Sequence, residues 1–439
     1  MTSLLRLLVL LAALLTCPLA RAQADDTERL RIHGSNLLGA RLVPALVDRW
    51  LKEIGYTDIK HRDLGPARTE IGAVRDGQPL IVEIDKRGTA FGLQAIIAGD
   101  AEICMSARQP NAREIDDAWQ LGDLKSPAQE WVVGLDGLVL LVSPDNPVAS
   151  LSLQQLRDVL GGRIRDWKQL GAVAGPIALH TLSTASGTQE ALSGIALAGD
   201  KPFAGIVRHS RPADVVAAVH RDPRSIGIVG LRAPRDGVRA LAISTGGRAF
   251  APDPLNVSSE DYPLTRRVYF HTGQLITALG RSFAQWVVSP AGQAAVERSQ
   301  FVSLSVRPLA PGRIDMAPVE YQQMVAKAQR LPMTLRFSTG LDLFDSRARQ
   351  DVERLAAYLQ RPENAQRRVV LMGFANPQPR TPMQSLFLSQ ERVDFVSSEL
   401  LALNMKVVTV RGFGGRMNLV DGAQATSRYR NDRVEVWLR

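Results

Sequence analysis

Three short polar turns, each between an apolar segment and a helical pattern, most constrain how this chain can fold. They are Gly34-Ser35-Asn36, Gly88-Thr89 and Ser186-Gly187-Thr188. Repeated alternation of strand, tight turn and helix predicts an α/β fold. Because the first turn of a helix offers unpaired N–H groups and a positive dipole end, three such turns that meet at one cleft would form an anion site. The alternative is that Ser35 and Ser186 are ordinary helix N-caps.

A nearly continuous apolar segment at residues 132–142, broken only by Asp136-Gly137, predicts a buried central strand or a crossing segment. Pro44 fits only in a first helical turn, so a helix is predicted to begin near residues 39–42. Together these patterns predict one large α/β unit at residues 23–310. Its other predicted strands lie at 30–33, 80–84, 102–105, 177–182, 226–230 and 238–243. The first helix is predicted to continue to residue 54, and the other helices lie at 93–97, 153–160, 276–288 and 291–298.

A second, smaller unit is predicted at the C-terminus. Four prolines between residues 308 and 332 bracket a short polar helical pattern, which predicts a linker at residues 311–331. Beyond it, one amphipathic helix is marked by Ala348, Val352, Leu355, Ala356 and Leu359. Strand patterns at 334–337, 369–372, 407–410 and 434–438, with a second helix at 393–403, complete a small α+β domain of βαβαββ order at residues 332–439.

The first 22 residues have the pattern of a secretory signal peptide, with Arg6, an apolar run and a cleavage site at Ala20-Arg21-Ala22. Cleavage would begin the mature chain at Gln23 and remove Cys17. Cys104 would then be alone, so no intrachain disulfide is expected. No later apolar run approaches the roughly 20 residues that span a bilayer. We therefore expect a secreted, soluble protein.

Charge and composition argue against several classes of function. The net charge of +9 is spread along the chain, with 5% aromatic residues and no Lys/Arg block, so nucleic-acid binding is not expected. The six histidines lack metal-ligand spacing, so neither a metal nor a cofactor is predicted. A hydrolase that uses Ser186 and His180 is an alternative, but there is no Gly-x-Ser-x-Gly elbow. The prediction is a binding protein, not an enzyme.

Several motifs resemble those of periplasmic phosphate-binding proteins of ABC importers. They are the run from Gly88-Thr89 to residue 108, Asp136-Gly137 with residues 142–171, Ser186-Gly187-Thr188, and residues 222–230. The resemblance covers about residues 28–310 and implies a two-lobed type II periplasmic binding fold, which closes on an inorganic oxyanion, above all phosphate. The ligand-binding residues that it carries over are Ser35, Asn36, Thr89, Ser106, Ser186, Gly187 and Thr188.

The chain departs from that family at one pair of positions. The family usually has an Arg and an Asp just ahead of the Ser-Gly-Thr turn, where they fix the anion and accept the proton that distinguishes phosphate from sulfate. Leu182 and Thr184 stand at those positions. Because a buried dianion with too few donors is costly, either the ligand differs or its affinity is lower. The candidates to replace the lost cation are Arg108, Arg87, Lys86 and His180, and the candidate proton acceptor is Asp136.

Residues 332–439 resemble the OmpA-like peptidoglycan-binding family. The resemblance rests on the helix motif Leu388-Ser389-Gln390-Glu391-Arg392-Val393 and on Arg428 with Asn431-Asp432-Arg433-Val434-Glu435. It implies that Arg392 and Asn376 hold the acid and amine ends of diaminopimelate in the wall stem peptide, with Ser389 on the same helix face as Arg392. Asn376 stands where the family has an aspartate, and its loop is one residue longer than usual.

The two resemblances predict a periplasmic solute-binding protein of a Gram-negative bacterium. It would capture phosphate or a similar oxyanion between two lobes, be held at the cell wall by its C-terminal domain, and serve an ABC importer permease as a further partner. The alternative is a wall-associated envelope adaptor or sensor with a different ligand and no role in transport.

Overall fold

The structure is a computed structural model that describes residues 27–183, 191–192, 205–310, 317–337, 344–423 and 425–439. The predicted signal peptide at residues 1–22 and the turn Ser186-Gly187-Thr188 lie outside these residues. The predicted strands and helices within them can be compared directly with the structure.

One large sheet dominates the part of residues 27–310 that is described. Its strands follow the order β2-β3-β4-β1-β5-β13-β6-β10-β8-β9, with β11 paired to β6. The strands are β1 Glu28–Gly34, β2 Thr57–Asp63, β3 Arg68–Arg75, β4 Gln78–Asp85, β5 Ile103–Ser106, β6 Glu130–Val142, β7 Ser150–Ser152, β8 Ala178–Leu182, β9 Val207–His209, β10 Ser225–Gly230, β11 Arg239–Ala240, β12 Ala242–Ser244 and β13 Thr265–Thr272. The short strands β7 and β12 pair separately with each other.

Two lobes with separate hydrophobic cores share this sheet. The first lobe contains β1 to β5 and packs around Leu30, Trp50 and Phe283. The second contains β8 to β11 and packs around Trp167 and Ile228. Strand β6 runs through both, since its first half pairs with β13 and its second half with β10 and β11. This confirms the predicted central strand, and it makes β6 and β13 the segments that cross between the lobes.

Helices cover the sheet of the two lobes. They are α1 Val43–Glu53, α2 Thr89–Ala98, α3 Ala112–Asp117, α4 Leu153–Leu160, α5 Pro212–Arg221, α6 Pro254–Ser258, α7 Ala278–Val288 and α8 Pro290–Arg298. Within the described ranges, none of the helices is both long enough and apolar enough to span a bilayer.

The predicted start of the first helix is wrong. Helical backbone already begins at Asn36, and residues Leu38–Leu42 form a π-helical turn that continues into α1. Val43 donates its N–H to the carbonyl of Leu38, five residues back. Because the π turn is wider than an α turn, it accommodates Pro44, which would otherwise clash with the preceding turn.

The C-terminal domain has a four-stranded sheet of order β14-β17-β15-β16, in which β15 and β16 are parallel and the other pairs antiparallel. The strands are β14 Gln329–Arg336, β15 Val369–Phe374, β16 Val407–Gly412 and β17 Arg433–Leu438, and the helices are α9 Val319–Val325, α10 Ser346–Leu359, α11 Pro382–Ala402 and α12 Ala425–Asn431. The strands and the two long helices confirm most of the predicted order. The short helix α12 before β17 was not predicted, and β14 begins inside the predicted linker, where the β-bulge between Arg330 and Thr334 accommodates Pro332.

Candidate functional site

Ser35, Thr89 and Ser106 are brought together at the ends of β1 and β5 and the start of α2. The Ser35 N–H donates to the Met105 carbonyl at 2.7 Å, which places Ser35 beside the end of β5. The hydroxyl of Thr89 accepts a hydrogen bond from the Ala107 N–H at 3.2 Å. All three side chains are buried. Ser35 and Thr89, predicted from separate turns, and Ser106, implied by the family resemblance, therefore form one polar cluster in the first lobe.

The close approach of these segments depends on glycine. Gly34 pairs with Met105 in the parallel β1 and β5 ladder, and its φ of 141° lies in the region that favours glycine. A side chain at Gly34 would place its Cβ 2.0 Å from the Met105 carbonyl oxygen. At Gly92 in α2, a Cβ would lie 2.6 Å from the Gly34 Cα. The two glycines let the N-terminal half of α2 pack directly against the strand ends.

The hydroxyl groups of this cluster differ in what they can still donate. Ser106 uses its hydroxyl within its own turn, where it donates to the Arg108 carbonyl and accepts from the Arg108 N–H at 3.3 Å. Thr89 accepts from Ala107, and a hydroxyl that accepts one hydrogen bond keeps its own hydrogen to donate. Thr89 also stands in the first turn of the ten-residue helix α2, whose N–H groups lack intrahelical partners. Thr89 is therefore the best-placed donor for an anion here.

Two of the candidate cations are already paired with carboxylates. Arg108 donates two hydrogen bonds of 2.7 Å to Glu114 and so lowers the pKa of that carboxyl group. Arg87 binds both oxygens of Asp85 at 2.7 to 3.0 Å and lies over the ring of Phe91. Neither arginine replaces the missing arginine as an uncompensated charge.

His180 lies in the second lobe, within hydrogen-bond distance of a second histidine. Its Nδ1 is 3.0 Å from Nε2 of His209, and its Nε2 is 3.3 Å from the hydroxyl of Ser225. Burial, reinforced by His209, lowers the pKa of His180. The neutral form is favoured, so His180 does not supply a fixed positive charge. Lys86, the remaining candidate, lies at the end of β4 beside Arg87.

Asp136 lies on β6 and pairs with Arg266 on β13, with Oδ2 at 3.1 Å from Nε and 3.0 Å from a terminal nitrogen. The two residues stand opposite each other in the ladder. The carboxylate therefore joins the two crossing strands. Asn36 stands at the exposed start of the first helix, and Leu182 ends β8, directly ahead of the turn that is not described.

A family model described as a PBP superfamily domain matches residues 72–291, half of the chain. The chain belongs to the PBP superfamily. It is similar to the phosphate-binding protein PstS of Bacillus subtilis strain 168, with 26% identity across 50% of this chain and 69% of that protein. It is also similar to the phosphate-binding protein PstS of Borreliella burgdorferi, with 23% identity across 51% of this chain and 80% of that protein. This part of the chain is thus a PstS-like domain.

Solved structures agree with this assignment at the level of the fold. The ABC-type phosphate transport receptor from Vibrio cholerae superposes with a TM-score of 0.51 and 16% identity, over 63% of this chain and 99% of that one. A possible phosphate-binding protein from Planctomyces limnophilus superposes with a TM-score of 0.51 and 18% identity, over 63% of this chain and 93% of that one. The two-lobed PBP fold predicted for this part of the chain is supported.

A second polar cluster lies in the C-terminal domain, outside the residues that match the PBP superfamily model. Asn376 is fully buried, and its side-chain amide donates to the carbonyls of Gln378 and Gly422 and accepts from Asn431 at 2.6 Å. The Ser389 hydroxyl donates to the Leu386 carbonyl at 2.8 Å and accepts from the Gly414 N–H at 2.9 Å. Both side chains hold loops together, whatever else they bind.

Arg392 faces the carboxylate of Asp432, a residue to which the resemblance to the OmpA-like family assigned no role in the site. A terminal nitrogen of Arg392 is 2.9 Å from Oδ2 of Asp432, and its guanidinium lies over the ring of Phe337. Oδ1 of Asp432 accepts from the backbone N–H of Asn376 and is 3.5 Å from Arg380. Asp432 lies in the Asn431-Asp432-Arg433 motif, so the sequence did carry a signal for it. The structure brings Arg392 and Asn376 together through this aspartate.

Among the described residues, no group of three His, Cys, Asp or Glu side chains is arranged to hold a metal ion.

Proposed function

We propose that this protein is a periplasmic solute-binding protein that captures phosphate between its two lobes and is held at the cell wall by its C-terminal domain. The convergence of Ser35, Thr89 and Ser106 at the start of α2 carries the first part of this proposal. The PstS relatives, whose names state phosphate binding, support the choice of anion and a periplasmic or secreted location. Delivery to an ABC importer permease is part of the same proposal, as the resemblance of the sequence motifs implies.

The cluster would hold an oxyanion mainly with neutral donors. Arg108 and Arg87 are compensated by Glu114 and Asp85, so hydroxyl and backbone N–H groups at a helix N-terminus must provide most of the stabilisation. The turn Ser186-Gly187-Thr188 is proposed to complete the site from the second lobe. Asp136 is engaged by Arg266 on the crossing strands, so we propose for it a role in their geometry in addition to that of proton acceptor.

Calorimetric titration of phosphate into the mature chain tests the oxyanion site. Thr89→Val removes the donor and should weaken binding by at least about tenfold, because a hydrogen bond to a charged group contributes about 1.5 to 3 kcal/mol and a tenfold change corresponds to about 1.4 kcal/mol. Thr89→Ser keeps the hydroxyl and should bind nearly as the wild type does. As a matched control, Thr57→Val changes an exposed threonine on β2 and should have no effect. Equal affinities of the Val and Ser variants at position 89 would remove Thr89 from the site.

The wall-binding part of the proposal rests on the pair Arg392 and Asp432. Arg392 is suited to a carboxylate of the stem peptide because a guanidinium can bind it through two parallel hydrogen bonds. Asn376 is neutral, but Asp432 places a negative charge beside its backbone N–H. We propose that Asp432 replaces the family's aspartate as the partner of the ligand's ammonium group. Arg380 would then help Arg392 to bind the carboxylate once the ligand separates the internal ion pair.

The alternative, a wall-associated adaptor or sensor, keeps the same two domains and abandons phosphate. This alternative would be favoured if the wild-type protein binds peptidoglycan but shows no phosphate binding by calorimetry.

A further inference from the structure

The C-terminal domain contacts both lobes of the binding domain. Val420 pairs with Thr245 and Gly246 beside β12 of the second lobe, and a separate bridging surface contacts both lobes. This bridging surface consists of Arg336 at the end of β14, the residues Asp345, Ser346, Arg347 and Gln350 at the start of α10, and Arg430 in α12. Its partners are residues 258–261 and Arg267 of the binding domain, with Glu130 at the start of β6.

On the side of the first lobe, the bridging surface holds Glu130. The Ser346 hydroxyl donates to the carboxylate of Glu130, and the Gln350 amide donates to its backbone carbonyl at 3.2 Å. Gln109 donates to the same carboxylate at 3.2 Å. Gln109 lies three residues after Ser106, so the contact connects the bridging surface to the segment that carries the anion cluster.

On the side of the second lobe, arginines hold the segment that follows α6. Arg347 lies 2.9 Å from Glu260, Arg336 donates to the Ser259 carbonyl at 2.9 Å, and Arg430 donates to the Asp261 carbonyl at 2.7 Å. This segment belongs to the second lobe because Val257 and Tyr262, on either side of it, pack into that lobe's core.

These contacts are buried and charged, and therefore costly to separate. Arg336 and Arg347 are each 1% exposed. Burial alone would raise the pKa of Glu260, but Arg267, Arg347 and Arg336 hold it well below its usual range. Removing one partner of such a cluster leaves an uncompensated charge in the interior.

We propose that the C-terminal domain fixes the angle between the two lobes, so that they can pivot about β6 and β13 only when the bridging surface detaches from one lobe. Ser346 and Arg347 are neighbours on one rigid helix and hold residues of opposite lobes. Any change in the angle between the lobes therefore strains one of the two contacts. Because such coupling is reciprocal, a ligand that changes the lobe angle also changes the attachment of the C-terminal domain. This inference goes beyond the proposed function and holds for any ligand of the cleft.

Distance measurement by pulsed electron paramagnetic resonance tests this inference on the full mature chain, without any anion. Spin labels are placed at Lys60→Cys on β2 of the first lobe and Val173→Cys of the second, both highly exposed. The wild-type background should give a narrow distance distribution, and Ser346→Ala with Gln350→Ala should broaden it. Arg349→Ala is the matched control, since Arg349 lies on the same helix but pairs with Glu399 inside the C-terminal domain. It should leave the distribution unchanged.

An unchanged distribution in the double variant, with wild-type circular dichroism and melting temperature, would overturn the proposal. Should the double variant fail to fold, Gln350→Leu removes only one hydrogen bond at similar volume and should still broaden the distribution. Amide hydrogen exchange at residues 130–137 gives a second readout. Exchange there should be about tenfold faster in the double variant, because that variant has lost the hydrogen bonds to Glu130. Neither measurement requires phosphate. If the protein proves not to bind phosphate, the result of these measurements is therefore unaffected.

Discussion

At the scale of single residues, Glu130 shows how the C-terminal domain alters the chemistry of the binding domain. Its side chain is 1% exposed and lies among Ser346, Gln109 and Arg267. Burial raises the pKa of Glu130 to about 7, although these neighbours each favour the ionised form. The folded protein therefore holds this proton more tightly than the unfolded chain does.

The stability of the protein should consequently depend on pH through Glu130. The contribution of Glu130 to the free energy of unfolding is fully present below its unfolded pKa of about 4.5, and it is lost as the pH rises through its folded pKa of about 7. Over this window the free energy of unfolding should fall by about 3 kcal/mol on account of this residue. Glu130→Gln should remove that part of the pH dependence in urea denaturation, whereas Glu53→Gln, at an exposed position of α1, should keep it. Parallel stability curves for wild type and Glu130→Gln would contradict this assignment.

Single residues also show which parts of the sites the sequence can predict. Ser35 and Thr89 were predicted because each lies in a polar turn between a strand and a helix, and such turns meet at one edge of a parallel sheet. Ser106 was predicted only from the resemblance to phosphate-binding proteins. The pairing of Arg392 with Asp432 was not predicted, because the two residues are brought together by the order of strands in the C-terminal sheet. The contact of Glu130 with Ser346 joins residues 216 positions apart, and no local pattern marks it.

At the scale of secondary-structure elements, predictions succeeded where apolar residues mark the buried face. Strand β6, whose residues are almost all buried, was predicted within two residues of its observed start. Strand β2 was missed because it is exposed along nearly its whole length and has no apolar pattern. Strand β13 was missed because Arg266 and Arg267 stand near its start, and their charges are compensated only after folding, by Asp136 for the first and by Glu260 and Asp345 for the second. Charged residues that form ion pairs only in the folded state interrupt the apolar pattern, so a crossing strand that contains them is not recognised from the sequence.

Helix α2 gives a prediction at this scale. Alanine normally stabilises a helix interior by up to about 1 kcal/mol relative to glycine. Gly92→Ala should instead destabilise the protein by about 1 to 3 kcal/mol, because its Cβ would lie 2.6 Å from backbone atoms of Gly34 and His33. Phosphate affinity should fall with it, since the helix start moves away from the strand ends. Gln94→Ala, at an exposed position of the same helix, is the control. A stabilising effect of Gly92→Ala in urea denaturation would show that α2 packs less closely than described.

At the scale of the whole molecule, the two domains form one connected structure through the bridging surface. If the C-terminal domain binds the wall, the solute site is held within the periplasm at a fixed place, which raises its effective concentration near a partner there. The same surface would then hold the binding lobes relative to the wall. Capture of the anion and attachment to the wall can be tested together.

The most direct measurement is the amount of labelled phosphate that sediments with purified peptidoglycan in the presence of the full mature chain. We expect wild-type protein to carry phosphate into the pellet. Arg392→Ala and Asp432→Asn should leave both protein and phosphate in the supernatant, and the exposed control Arg411→Ala should behave as wild type. Thr89→Val should sediment with much less phosphate. Two results would contradict the proposed function. One is wild-type protein that sediments with peptidoglycan but carries no phosphate. The other is wild-type protein that binds phosphate but stays in the supernatant, as the Asp432→Asn variant does.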